Sequence, residues 1–351
     1  MSNQTKKSKP PDFIQSQKFK HNTKSLTYSC VTPHIMKNIK LLGLALFVAA
    51  STLTGCSQKE EKIESTENTS EKTESTAKAA RKEYIEVAEN VNLHVTDMGD
   101  GPAVVLIHGY PLSDAMWEYQ NHALLNAGYR VIGITLRGFG QSDKPYGSYN
   151  YDQFADDIKV VLDKLNIKDA TIGGHSMGGA IALHYVAKYN AAHISKLALF
   201  SAAAPCHTKK ADYDLPFFTK EDITQWVNLN NTDRPALLAA VGEKFTLSAT
   251  SVSPGLGAWL GGIEMQSSPY AMEQALIALR DEDLRGDLPK IKVPTLIFNA
   301  REDKIVSFAL AEDMHKKIAG SVLVPFEKSG HASFIEEKDK FNEEFIKFLK
   351  N

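Results

Sequence analysis

The sequence predicts an α/β fold, a mostly parallel eight-stranded sheet with helices on both faces and an inserted helical cap. Three observations predict it. Apolar runs such as Ala103-Val104-Val105-Leu106-Ile107 and Thr295-Leu296-Ile297-Phe298 lack polar alternation, as strands buried on both faces of a parallel sheet do. Between such runs lie stretches of helical periodicity, giving a strand-helix-strand rhythm. That rhythm breaks over residues 204–288, where Pro205, Pro216, Pro235, Pro254 and Pro269 punctuate shorter helical pieces, and then resumes.

Composition bounds the reading. A chain of 351 residues with 43% hydrophobic content buries a large core and is not disordered as a whole. Its formal net charge of −2, with Lys and Arg scattered, offers no basic face for nucleic acid. The three cysteines, Cys30, Cys56 and Cys206, have neither zinc-like nor redox-like spacing and form no disulfide framework.

Before the fold comes a segment of another kind. Residues 1–35 are polar and Lys-rich and read as an upstream extension, untranslated or disordered, because Met36-Lys37-Asn38-Ile39-Lys40 begins again like a start with a positive n-region. Leu41 to Ala50 is too short to span a bilayer but has the length of a signal-peptide core. Leu53-Thr54-Gly55-Cys56 resembles the bacterial lipobox, which implies cleavage before Cys56, lipidation of its thiol, and a lipid anchor in the bacterial cell envelope. An ordinary signal peptide with a chance cysteine is the alternative. Residues 36–55 are then the signal segment, and 56–82, rich in Ser, Thr, Glu, Lys and Ala, a disordered tether.

The folded part is expected in three pieces, core residues 83–203, cap 204–288 and core 289–351. Tyr84 to Val87 and Val91 to Val95 form an antiparallel pair around Glu89-Asn90. Strands at 103–107 and 130–136 flank a helix from Trp117 to Ala127. A helix from Tyr151 to Leu165 follows, with Asp156 and Asp157 in its early turns, and then the run Thr171-Ile172-Gly173-Gly174-His175-Ser176-Met177-Gly178-Gly179. Leu197 to Ser201 is the next buried strand. Within the cap, helices are expected near 220–228, 235–247 and 270–281, and Gly255 to Gly262 reads as a flexible loop whose Trp259 acts as a gate. The sheet closes with 295–298, a helix at 308–318, a strand at 321–326 and a helix at 338–350.

The chemistry centres on Gly174, Ser176 and Gly178, which match the G-x-S-x-G nucleophile elbow. Such a turn holds its serine in a strained conformation between strand and helix, and side chains at the flanking glycines would collide with both. It also aims the Met177 N–H at a developing oxyanion, at the positive end of the following helix.

From about Val91 onward, the stretches HGYPLSDAMWEYQ, RGFGQSDKP, YDQFADDIKVVLDKL and GHSMGGAIALHYVAKY resemble the cofactor-free haloperoxidase and arylesterase branch of the α/β-hydrolases. The resemblance implies the α/β-hydrolase fold and the chain order nucleophile, acid, histidine, with acid and histidine just past late strands. Asp303, in Asn299-Ala300-Arg301-Glu302-Asp303-Lys304-Ile305-Val306, stands at the acid position, and His331, in Ser329-Gly330-His331, at the histidine position. Glu302 is the alternative acid. Tyr110, in the His-Gly-x-Pro loop, takes the second oxyanion role through its backbone N–H. His108 shapes that loop, and His175 is expected packed and satisfied. The chain departs from the branch at Leu136 and at Asn299-Ala300, which bears on subfamily and substrate rather than on the three catalytic positions.

The implied activity is serine-ester hydrolysis of small uncharged carboxylic esters through an acyl-enzyme, with perhydrolase or haloperoxidase chemistry as a side reaction, without metal or cofactor. A serine at position 176 excludes dehalogenase and epoxide-hydrolase chemistry, which need aspartate there. A proline iminopeptidase or carbon–carbon bond hydrolase remains open. The former needs a cap acid facing the substrate's amine, and Glu221, Asp222, Asp233, Glu243 and Glu264 are available. A surface-binding lipoprotein without catalysis is the reading of another class, opposed by three catalytic positions that binding alone does not require.

Overall fold

A computed structural model describes residues 81–351. Cys56, the segments 1–35 and 36–55, and the stretch 56–80 lie outside them. Arg81, read as tether, is held to the body, donating to the Asp97 carbonyl at 3.1 Å and lying 3.3 Å from its carboxylate.

Eight strands form one sheet: β1 (Tyr84–Ala88), β2 (Val91–Met98), β3 (Ala103–Ile107), β4 (Arg130–Ile134), β5 (Ala170–His175), β6 (Ile194–Phe200), β7 (Thr295–Ala300) and β8 (Val322–Phe326). Their spatial order is β1-β2-β4-β3-β5-β6-β7-β8. β2 runs antiparallel to both neighbours, and every pairing from β4 to β8 is parallel. The chain leaves β3 toward β4 on one side and returns to β5 on the other, so the loops after β3 and β5 diverge. In a parallel sheet that divergence opens a crevice at the carboxyl ends of the strands.

Ten α-helices complete the described fold: α1 (Glu118–Asn126), α2 (Tyr151–Lys164), α3 (Met177–Lys188), α4 (Lys220–Thr232), α5 (Arg234–Phe245), α6 (Pro254–Glu264), α7 (Pro269–Asp281), α8 (Phe308–Lys317), α9 (Ser333–Glu336) and α10 (Lys338–Lys350). α2 starts where the Asn150 side chain accepts the Gln153 N–H at 2.9 Å, and buries Phe154, Ile158, Val161 and Leu162 along one stripe. α3 is buried nearly all round from Met177 to Leu183, as a helix covered on all sides by other elements must be. α10 buries Phe341, Phe345 and Leu349, four residues apart, with the first two rings 4.7 and 5.0 Å from Phe200.

Helices α4 to α7 lie between β6 and β7 as the cap. Thr219 and Asp222 form a capping box at α4, while Ser253 and Ser268 cap α6 and α7 ahead of Pro254 and Pro269. The structure corrects one expectation: Gly255 to Gly262 is helical, not a loop. The Ser253 hydroxyl accepts the Leu256 N–H at 3.2 Å, and Leu260 and Ile263 are buried, so capping and burial override the low helix propensity of glycine. Trp259 therefore sits on a helix, edge-on to Tyr119 at 6.4 Å.

Hydrogen bonds tie the cap to the loops beneath it. Ser268 N–H donates to the Gly138 carbonyl at 2.9 Å, the Ser267 hydroxyl to the Pro111 carbonyl at 2.7 Å, and Ala332 N–H to the Phe245 carbonyl at 3.0 Å. Beneath α7, Arg137 and Asp157 make a buried bidentate pair at 2.5 and 2.6 Å. Among the described residues, no helix is long and apolar enough to cross a membrane.

Candidate active site

Ser176 occupies the bend from β5 into α3 with φ 54° and ψ −120°, a conformation that costs a non-glycine residue about 1–3 kcal/mol. The surroundings enforce it. A side chain at Gly174 would strike the Gly178 backbone, and one at Gly178 would strike the carbonyls of His108 and Ile107. Ser176 N–H donates to the Phe200 carbonyl at 2.9 Å, while its own carbonyl receives the N–H groups of Gly179, Ala180 and Ala203. The bend is thus held from three sides.

Asp303 and His331 come from the loops after β7 and β8. The Asp303 carboxylate accepts from Ile305 N–H at 2.8 Å and Val306 N–H at 2.9 Å through Oδ1, and lies 2.8 Å from His331 Nδ1 through Oδ2. Both side chains are buried, with 0% and 2% exposure. Glu302, the alternative acid, is exposed and ion-pairs with nothing among the described residues. His331 and Ser176 line one chamber of about 20 Å³ without a direct hydrogen bond between them. Such bonds are often loose before substrate binds.

Tyr110 lines the same chamber as Ser176, and Met177 follows Ser176 as the first residue of α3. No described residue takes up either backbone N–H. The Tyr110 ring lines the chamber, and its buried hydroxyl has no hydrogen-bond partner. His108 shapes the oxyanion loop: Nδ1 lies 2.9 Å from the Gly109 carbonyl, and Nε2 accepts Leu136 N–H at 3.0 Å. Burial lowers its pKa to about 4, which keeps Nε2 an acceptor. His175 is packed but only half satisfied. Its Nε2 meets the His331 carbonyl at 2.9 Å, whereas Nδ1 is buried without a partner, and burial drives its pKa well down.

The cap roofs the chamber with Trp226, Val241 and Phe245, while its Phe217 and Met265 are exposed. His207 and Leu279 also line the chamber and carry no motif that marks them. At about 20 Å³ the chamber has room for about one water molecule.

Phe245 also forms one wall of a second cavity, of about 540 Å³, bounded by Leu238, Gly242, Val252, Leu260 and Glu264. Glu264 has no hydrogen-bonding or ionic partner among the described residues, and burial raises its carboxyl to about 7 from an ordinary 4.5. The sign follows from linkage: the unfolded chain loses this proton first, so folding is penalised progressively from about pH 4.5 and fully above about 7. Glu264→Gln is expected to match the parent protein in urea unfolding near pH 4. At pH 8 it should be more stable by about 2 kcal/mol, the full shift discounted for partial exposure. An equal effect at both pH values would contradict this.

Comparison with known proteins places this geometry among relatives. A family model described as alpha/beta hydrolase fold matches residues 102–338. The AB hydrolase superfamily protein YisY of Bacillus subtilis is 45% identical over 266 residues, 76% of this chain and 98% of the relative. Among solved structures, an esterase from Exiguobacterium antarcticum superposes with a TM-score of 0.74 at 40% identity, covering 76% of this chain and 99% of that one. A bromoperoxidase from Bacillus anthracis gives 0.73 at 32% identity, covering 74% and 96%.

Proposed function

Because the chain belongs to the alpha/beta hydrolase family, we propose that it is a serine hydrolase of small uncharged carboxylic esters, working through an acyl-enzyme, with peracid formation as a side reaction. One observation carries the reading. The buried Asp303–His331 pair, 2.8 Å apart, opens onto the same chamber as the strained Ser176.

In this mechanism the Ser176 hydroxyl attacks the ester carbonyl carbon while His331 Nε2 takes its proton. Asp303 holds Nδ1–H and stabilises the imidazolium. The carbonyl oxygen, now an alkoxide, receives the N–H groups of Tyr110 and Met177. Collapse expels the alcohol, protonated by His331, and leaves an ester on Ser176. Water, deprotonated by the same histidine, then releases the acid. Where hydrogen peroxide replaces water, the product is a peracid.

Uncharged substrates are favoured because no Lys, Arg, Asp or Glu lines the chamber, and short ones because the lining is tight. The iminopeptidase reading is less well supported, since none of Glu221, Asp222, Asp233, Glu243 and Glu264 lines the Ser176 chamber, although the Glu264 charge reaches the Tyr110 hydroxyl there. A series of nitrophenyl esters tests the proposal. Acetate or butyrate should exceed dodecanoate by about tenfold or more in kcat/KM, with no effect of chelators. Preference for dodecanoyl chains, or hydrolysis confined to aminoacyl substrates, overturns it.

A further inference from the structure

His207 is a polar residue in an apolar place. It follows β6 through Ala204-Pro205, is 4% exposed, and stacks obliquely on Phe218 at 5.3 Å. Its ring lines the chamber that holds Ser176 and His331. Nδ1 is buried without a partner, and neither ring nitrogen is hydrogen-bonded to any described residue. The Tyr110 hydroxyl, in the same lining, is equally unpartnered.

Buried polar groups are rarely left unpaired, and one that faces a chamber takes its partner from whatever enters it, solvent or ligand. The missing partner here is constrained by chemistry. Burial, with the positive potential of His331 opposing protonation, lowers the His207 pKa to about 4, so the ring is neutral. A neutral imidazole has one donor and one acceptor nitrogen. A carboxylate would enter the chamber without a countercharge, and a carbonyl satisfies only the donor. A hydroxyl gives or takes a hydrogen bond and therefore suits either tautomer, as well as the Tyr110 hydroxyl.

We propose that His207 binds a hydroxyl group carried by the substrate, making short hydroxylated esters, rather than plain alkyl esters, the class this chamber selects. The inference rests on the esterase reading. A site that has polar groups waiting for a hydroxyl discriminates strongly against the analogue that lacks it, because the analogue leaves those groups unpaired.

The test uses two matched pairs of esters. Methyl 3-hydroxybutyrate against methyl butyrate places the hydroxyl on the acyl side, and 2-hydroxyethyl butyrate against propyl butyrate places it on the alcohol side. At least one pair should show about a tenfold or greater preference in kcat/KM for the hydroxylated member. His207→Leu should lower that preference by a similar factor, and His207→Gln, which keeps a donor and an acceptor, should restore much of it. Thermal melts of both variants identify loss of fold, and the Gln variant decides the matter if the Leu variant does not fold. Equal rates within both wild-type pairs overturn the inference while leaving the esterase reading intact, as does a preference that survives in His207→Leu or is lost in a folded His207→Gln. Absence of hydrolysis of all four esters, together with no labelling by a fluorophosphonate, overturns the esterase reading and this inference with it.

Discussion

Replacing Ser176 with alanine is expected to reduce kcat for ester hydrolysis by about a million-fold, the scale seen when a triad loses its nucleophile. The remaining pair can still polarise water, but no atom is left to carry the acyl group. The substitution should leave the fold in place. The Ser176 hydroxyl makes no hydrogen bond to any described residue, and the backbone bonds that hold the bend come from groups alanine retains. Purified Ser176→Ala should therefore melt like the parent protein and fail to react with a fluorophosphonate. Residual activity above a few per cent would remove Ser176 from the mechanism.

Asp303→Asn should cost about ten-thousand-fold in kcat, for a reason visible in the hydrogen bonds. Oδ1 of Asp303 accepts two backbone N–H groups, from Ile305 and Val306, and an asparagine would keep its carbonyl oxygen there. Its NH₂ would then face His331 Nδ1 and donate to it. The histidine proton moves to Nε2, the nitrogen that must accept from Ser176. Glu302→Gln, at an exposed position, is the control and should retain nearly full activity. A loss in Glu302→Gln comparable to that in Asp303→Asn would reverse the assignment of the acid.

Much of this was legible because parallel strands and an elbow leave strong local marks. The run 103–107 could be read as a buried strand from its unbroken apolar character, and Gly174 and Gly178 are glycines because backbone passes within contact distance of each. α6 was misread because glycine is a local signal, while its helix is held by burial of Leu260 and Ile263, a tertiary fact. The cap signal was nevertheless present, in Ser253-Pro254. His207 carries no motif. The only hint was its place just beyond a buried parallel strand, at the end of the sheet where ligands bind.

The glycines of α6 bear on the cavity beside the chamber, not on the roof that α4 and α5 supply. Residues 255, 257, 261 and 262 each weaken the helix by about 1 kcal/mol relative to alanine. This helix is an outer wall of the cavity that shares Phe245 with the Ser176 chamber. Transient melting of α6 would loosen that neighbouring cavity while leaving in place the ties of the cap to Gly138, Pro111 and Ala332. Access to that cavity becomes a local unfolding equilibrium, with the steep temperature response of unfolding. A cavity walled by such a helix widens with warmth well before the sheet beneath it gives way.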